Sequence, residues 1–317
     1  MAPVIASVGE LLVEFVCETK GGHHLAPARY LGPFPSGAPG IFIDQVARMG
    51  VGALFAGAVG DDAFGQVIRN RLVADGVDDR LIVTVPGQVT GSAFVSYNDD
   101  GSREFVFNIA RSAAAHFPDG DQAAQAMLAA GVGMVHVSGS ALGDAGMRGR
   151  IVDLVARLTG AGVALSIDPN VRREEMRDAG YLTTVRDLVA QATLVLPSDD
   201  DAGLLFPDEN FATYARRLIS NGAKAVVLKR GAKGCIGMGA GLATLRVPGH
   251  AVSVVDPTGA GDCFCATFAA LHMMGMDLQQ ALLRANAAGA LAVGRLGPME
   301  GNSSPAEIDA FLAKAPA

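Results

Sequence analysis

The sequence predicts an α/β fold, a three-layer α/β/α sandwich built on a mainly parallel sheet with a small β-sheet beside it. Three observations carry this. Short apolar runs of β type recur along the chain; longer stretches between them carry apolar residues at three-to-four spacing; and two segments break that alternation. The β-type runs are Val4 to Val8, Ala53 to Ala58, Met134 to Val137, Val163 to Ile167, Leu194 to Leu196 and Ala225 to Leu228. They are apolar without clean alternation, as strands covered on both faces should be. Helical spacing is found over Ala123 to Ala130, Arg148 to Leu158, Thr183 to Ala190 and Asn210 to Ser220. These are the crossover helices that a parallel sheet requires.

The two interruptions are Leu11 to Phe34 and Val89 to Ala115. In the second, Thr90 to Tyr97 and Arg103 to Ile109 flank the turn signal Asn98-Asp99-Asp100-Gly101, which reads as a β-hairpin. A lone hairpin is marginal in water, so it is expected to pair with strands from the first interruption. The resulting sheet is expected to act as a lid, formed by insertions at about 11–34 and 89–115 in one domain spanning 1–317. At the other end, Ser304-Pro305-Ala306-Glu307 gives capping chemistry and a proline at the first helical position before Ile308 to Leu312.

Composition bounds the function. A formal charge of -7 gives no general pull toward nucleic acid or an anionic membrane, so neither is expected as a partner. The start of the chain lacks a basic flank, and no apolar run approaches the roughly 18 residues needed to span a bilayer. A cytoplasmic location is expected. Cys17, Cys235, Cys263 and Cys265 form no CxxC pair and are read as reduced core residues.

The chemistry concentrates in Val254-Val255-Asp256-Pro257-Thr258-Gly259-Ala260-Gly261-Asp262-Cys263-Phe264, followed by apolar residues at helical spacing. A strand ends, glycines turn the chain and a helix begins. Free amides at a helix start bind anions, and glycines let the backbone approach a phosphate closely. An aspartate among those amides competes with the anion they attract. Taken alone, Asp262 either caps the helix or removes a proton from an attacking hydroxyl while the amides hold charge on a transferring phosphoryl group.

The run Asp256-Pro257-Thr258-Gly259-Ala260-Gly261-Asp262 closely resembles the C-terminal signature of the PfkB, or ribokinase-like, carbohydrate kinases. No Walker-type GxxxxGK[ST] occurs in the chain, and this family does without one. Gly9-Glu10-Leu11-Leu12-Val13-Glu14-Phe15, Ser36-Gly37-Ala38-Pro39, Ala58-Val59-Gly60-Asp61-Asp62-Ala63-Phe64-Gly65 and Asp168-Pro169-Asn170-Val171-Arg172 resemble further family segments in order. The resemblance implies a kinase using ATP and magnesium, with Asp262 as base and Gly259, Ala260 and Gly261 as the anion hole. Arg172 stands where some members neutralise the transferring phosphate.

The same resemblance implies sugar contacts at Glu14, Gly37, Ala38 and Asn170, and nucleotide contacts at Lys229, Gly231, Ala232, Gly234, Gly261 and Asn286. Ser198 and Asp201 stand where the family often has Asn-x-x-Glu, a segment linked to phosphate and magnesium. A potassium ion near Asp256 and Thr258, and a homodimer through the lid, are implied by resemblance only. Two places depart from the pattern. Ile41 replaces a sugar-loop asparagine, leaving Asp44 one turn on as a replacement contact or an exposed helix residue. The lid arginine of 2-keto-3-deoxygluconate kinases falls at Ile109, with Arg111 displaced beside Ser112. Ser36-Gly37-Ala38-Pro39 combined with Gly297-Pro298-Met299-Glu300-Gly301-Asn302 most resembles sequences described as tagatose kinases. The alternatives are a kinase for 2-keto-3-deoxygluconate, fructose or a nucleoside, and a sugar-binding module without catalysis.

Overall fold

The computed structural model describes residues 3–21, 24–99, 102–171, 176 and 178–314. A nine-stranded sheet forms its centre, assembled from β1 (Val4–Val8), β4 (Gly52–Gly60), β5 (Val77–Val85), β8 (Val132–Ser138), β9 (Ala164–Asp168), β10 (Leu194–Val195), β11 (Ala225–Lys229), β12 (Cys235–Gly239) and β13 (Leu245–Val247). Their order is β13-β12-β11-β10-β9-β8-β1-β4-β5. All neighbours are parallel except the two pairs at the β12–β13 edge.

Side chains alternate across this sheet, and that is why the apolar runs lack a polar face. Ile5, Met134 and Val227 enter one core; Ala6, Val8, Val135, Val137 and Val226 enter the other. The first core is covered by α1 (Ala38–Arg48), α2 (Ala63–Ala74), α8 (Ala260–Met273), α9 (Leu278–Ala292) and α10 (Pro305–Lys314). The second lies under α3 (Gly120–Ala129), α4 (Ala145–Gly160), α5 (Ala179–Gln191), α6 (Asp199–Leu205) and α7 (Phe211–Ser220). The four cysteines are buried and unbridged.

A separate four-stranded sheet, in the order β3-β2-β6-β7, comes from the two interruptions: β2 (Leu12–Cys17), β3 (Tyr30–Ser36), β6 (Gly91–Tyr97) and β7 (Arg103–Asn108). β2 runs parallel to β6, so the first segment pairs with the hairpin, as the marginal stability of a lone hairpin demands. No helix among the described residues is long and apolar enough to cross a membrane.

The chain places successive strands on opposite sides of β1, with β4 and then β5 to one side and β8 to the other. Such a reversal opens a crevice at the carboxyl ends of the strands. There Ser140 Oγ donates to Glu10 Oε1 at 2.8 Å, lining the crevice between β1 and β8 with polar groups.

Candidate active site

The first turn of α8 has no side-chain cap. Its N-cap is Gly259, at φ 81°, and the first intrahelical bond runs from Cys263 N to Gly259 O at 2.8 Å. The amides of Gly259, Ala260 and Gly261 therefore donate to no carbonyl within the helix. Gly259 is dictated by the fold: a Cβ there would stand 2.4 Å from the Pro298 carbonyl oxygen, in a left-handed conformation. Gly261 differs. A Cβ there would meet only Lys229 Nζ, at 3.7 Å, so packing does not require glycine. A glycine in a helix costs about 0.5–1 kcal/mol relative to alanine, and here it leaves open space over the free amides. Asp262, half-buried, follows in the same turn.

The segment Ser36-Gly37-Ala38-Pro39 and the helix it starts adjoin this turn. Gly37, at φ 104°, caps α1, where a Cβ would meet the Glu10 carbonyl oxygen at 2.6 Å. Ala38 is buried just after it, and Ser36 Oγ donates to Glu14 Oε2 at 3.3 Å across β2 and β3. Ile41 Cγ2 lies 3.2 Å from where a Gly259 Cβ would stand, so α1 packs directly on the start of α8. Asn170 adopts a positive φ of 36° and donates from Nδ2 to Ser138 Oγ at 3.1 Å.

Several expectations are corrected. Asp44 is neither a sugar contact nor exposed: it is fully buried, its oxygens 3.2 and 3.3 Å from Arg71, and Asn302 Nδ2 donates to it at 2.6 Å. Burial pushes its carboxyl above the ordinary range against the pull of Arg71. Lys229 does not extend freely from its strand: it forms an ion pair with Asp168 and lies 3.2 Å from Cys265 Sγ, with Nζ 3.7 Å from where a Gly261 Cβ would stand. Burial alone would lower the lysine, but the Asp168 carboxylate holds it above its ordinary value.

Asp201 and Ser198 form a capping box on α6. Ser198 N and Oγ donate to Asp201 Oδ2 at 2.8 and 2.7 Å, and Val171 N donates to Oδ1 at 2.8 Å. With both oxygens so engaged, Asp201 is a poor magnesium ligand, and among the described residues no three His, Cys, Asp or Glu side chains group to hold a metal.

In the turn after β11, Gly231 and Gly234 take φ values of 53° and 82° around Ala232. A Cβ on Gly234 would stand 2.0 Å from the Val247 carbonyl oxygen, so this turn is clasped against residues 247–249. Asn286, almost buried, donates from Nδ2 to the Pro248 carbonyl at 2.8 Å and steadies the same wall. Arg111 is exposed beyond β7, and Arg172 lies outside the described residues.

The sequence reading missed the way the lid meets the loop. The Tyr97 hydroxyl donates to Asp256 Oδ1, while Arg103 Nη1 donates to Thr258 Oγ1 at 3.2 Å. Thr258 N and Gly297 N donate to the two oxygens of Asp256 at 2.9 and 3.0 Å. Tyr97 had no signal in periodicity or motif, since a tyrosine is ordinary in a strand.

Residues 3–305 match the family model of the pfkB family carbohydrate kinases. The chain belongs to that family. This carbohydrate kinase is 31% identical to Fructokinase-1 of Oryza sativa subsp. japonica over 322 residues, covering 96% of each chain. Among solved structures it is similar to a "putative Ribokinase II" from E. coli in complex with ATP and Mg2+, with a TM-score of 0.91, 36% identity and coverage of 98% and 99% of the two chains. It is also similar to a fructokinase double mutant from Vibrio cholerae O395 bound to fructose, ADP and potassium, with a TM-score of 0.82, 25% identity and the same coverage.

Proposed function

We propose that this kinase transfers the terminal phosphoryl group of ATP, accompanied by magnesium, to a primary hydroxyl of a keto-hexose, with Asp262 as the base. The start of α8 carries this reading: uncapped amides, an aspartate in the same turn, and a Gly261 that packing does not demand. Asp262 takes the hydroxyl proton as the sugar oxygen bonds to phosphorus. The bond from phosphorus to the bridging oxygen breaks, and ADP leaves with that electron pair. The amides from Gly259 to Asp262 hold the charge spread over the transferring group.

Magnesium neutralises phosphate charge, and with Asp201 engaged as a cap it would be held by phosphate oxygens and water. The oxygens of Asp256 already accept from Tyr97, Thr258 and Gly297, so a potassium ion near Asp256 and Thr258 would rest on backbone carbonyls. The fructokinase relatives support a keto-hexose, fructose or tagatose, over an acidic sugar or a nucleoside.

The test measures ADP release with fructose, tagatose, 2-keto-3-deoxygluconate and a nucleoside as acceptors. A keto-hexose is expected to give the highest kcat/KM. Asp262→Asn should lower kcat by roughly 10²–10⁴-fold while ATP binding stays near the parent value, since it removes the base and keeps the amides. No ADP above the ATP-only rate with any acceptor would leave a sugar-binding module in its place.

A further inference from the structure

The lid sheet touches the anion loop at one end of its hairpin. Tyr97 and Arg103 face each other across β6 and β7 as the last cross-strand pair before the turn, and Asn98 N closes that turn on Ser102 O at 2.9 Å. Both side chains reach the segment just before Gly259. The Tyr97 hydroxyl meets Asp256 Oδ1 and lies 3.2 Å from Thr258 Oγ1, and Arg103 meets that same Thr258 oxygen. Asp256 is fully buried and in turn accepts from Thr258 N.

The face that does this is also the face that carries the sugar contact. Glu14 pairs in register with Ala93, and Ala93, Val95 and Tyr97 alternate onto one side of β6. Glu14, Tyr97 and Arg103 therefore share the inward side of the lid. Burial and the Asp256 carboxylate push the Tyr97 phenol above its ordinary range, so the hydroxyl stays protonated and donates.

We infer that Tyr97 is a positioning residue that, with Arg103, fastens the lid to the anion loop, so that seating the lid on the sugar and setting the amides from Gly259 to Asp262 are one event. This rests on the kinase reading for its catalytic consequence, but not for its structural one. Without the latch, the loop retains its sequence and loses its register to the lid. Water then gains access to the phosphoryl group while the sugar is imperfectly placed.

The experiment compares Tyr97→Phe and Thr258→Val with the parent, each checked for an unchanged circular dichroism spectrum. Amide hydrogen exchange over residues 258–262 is expected to quicken in both. Tyr97→Phe is also expected to lose roughly tenfold in kcat, about the worth of one hydrogen bond, with KM for ATP little moved and a larger share of ATP hydrolysed without sugar phosphate. Parent-like exchange in both variants overturns the latch, whatever the turnover. If the parent itself transfers phosphate to no sugar, the kinase reading falls, and the exchange data still decide the latch.

Discussion

Replacing Lys229 with methionine would leave the Asp168 carboxylate buried without its cation, since the lysine is that group's ion-pair partner. Breaking a buried pair from one side costs about 3–5 kcal/mol, whereas apolar replacement of both partners is often neutral. Lys229→Met is therefore expected to lower the urea midpoint markedly, and Lys229→Met with Asp168→Leu to recover most of the loss. A lysine that merely reached for nucleotide would show no such rescue. Residue identity in the sequence announced a cation beside a glycine turn, and the motif context drew it outward. Only the fold reveals that β9 and β11 bring Asp168 and Lys229 together beside Gly261. Asp44 was misread for the same reason: its partners Arg71 and Asn302 are 27 and 258 positions away.

Between elements, Asp62 binds the N-terminus of α2 to the start of the lid. Its Oδ1 accepts from Gly65 N at 2.8 Å and from Thr90 Oγ1 at 2.6 Å, and its Oδ2 accepts from Thr90 N at 2.7 Å. Burial acts to raise this carboxyl, but the Thr90 and Gly65 donors outweigh it and hold it below the ordinary range. The stability it contributes is present above the unfolded pKa and is lost as pH falls through the folded one. Asp62→Ala is expected to cost about 1–2 kcal/mol at neutral pH, read by chemical denaturation, with a smaller difference in acid. The central strands were legible because both faces are apolar. β5, β12 and β13 were not: the first mixes Asp78, Asp79 and Arg80 into its start, and Cys235-Ile236-Gly237-Met238-Gly239 carries a single branched residue and two glycines that weaken the strand signal.

Among the described residues, burial depresses the histidines His136, His250 and His272, His136 well below its ordinary value. His136 stacks on Phe42 with ring centroids 3.6 Å apart and shares a 2.9 Å hydrogen bond with Ser166. The unfolded chain binds a proton at His136 below about pH 6.5 and the native core does not, so stability falls as pH drops through that value, by up to about 1.4 kcal/mol per unit from this group. Denaturation at pH 7.5 and 5.5 should show this loss, and His136→Gln should flatten it. The glycine turn at the start of α8 was legible because consecutive residues build it. The contacts of Tyr97 and Arg103 with residues 256 and 258, the polar crevice and the buried pairs join distant segments, which no local spacing announces.

Gln45, on the helix that begins at the sugar loop, donates from Nε2 to Ser303 O at 2.8 Å and accepts from Ser303 N at 2.8 Å, while also bonding Thr267. That seam joins segments 258 positions apart in the chain. A ribosome that has released Asp262 has still not supplied the strap on which α1 rests. The nascent chain should therefore emerge inert, with competence arriving only once the residues around Ser303 have been made.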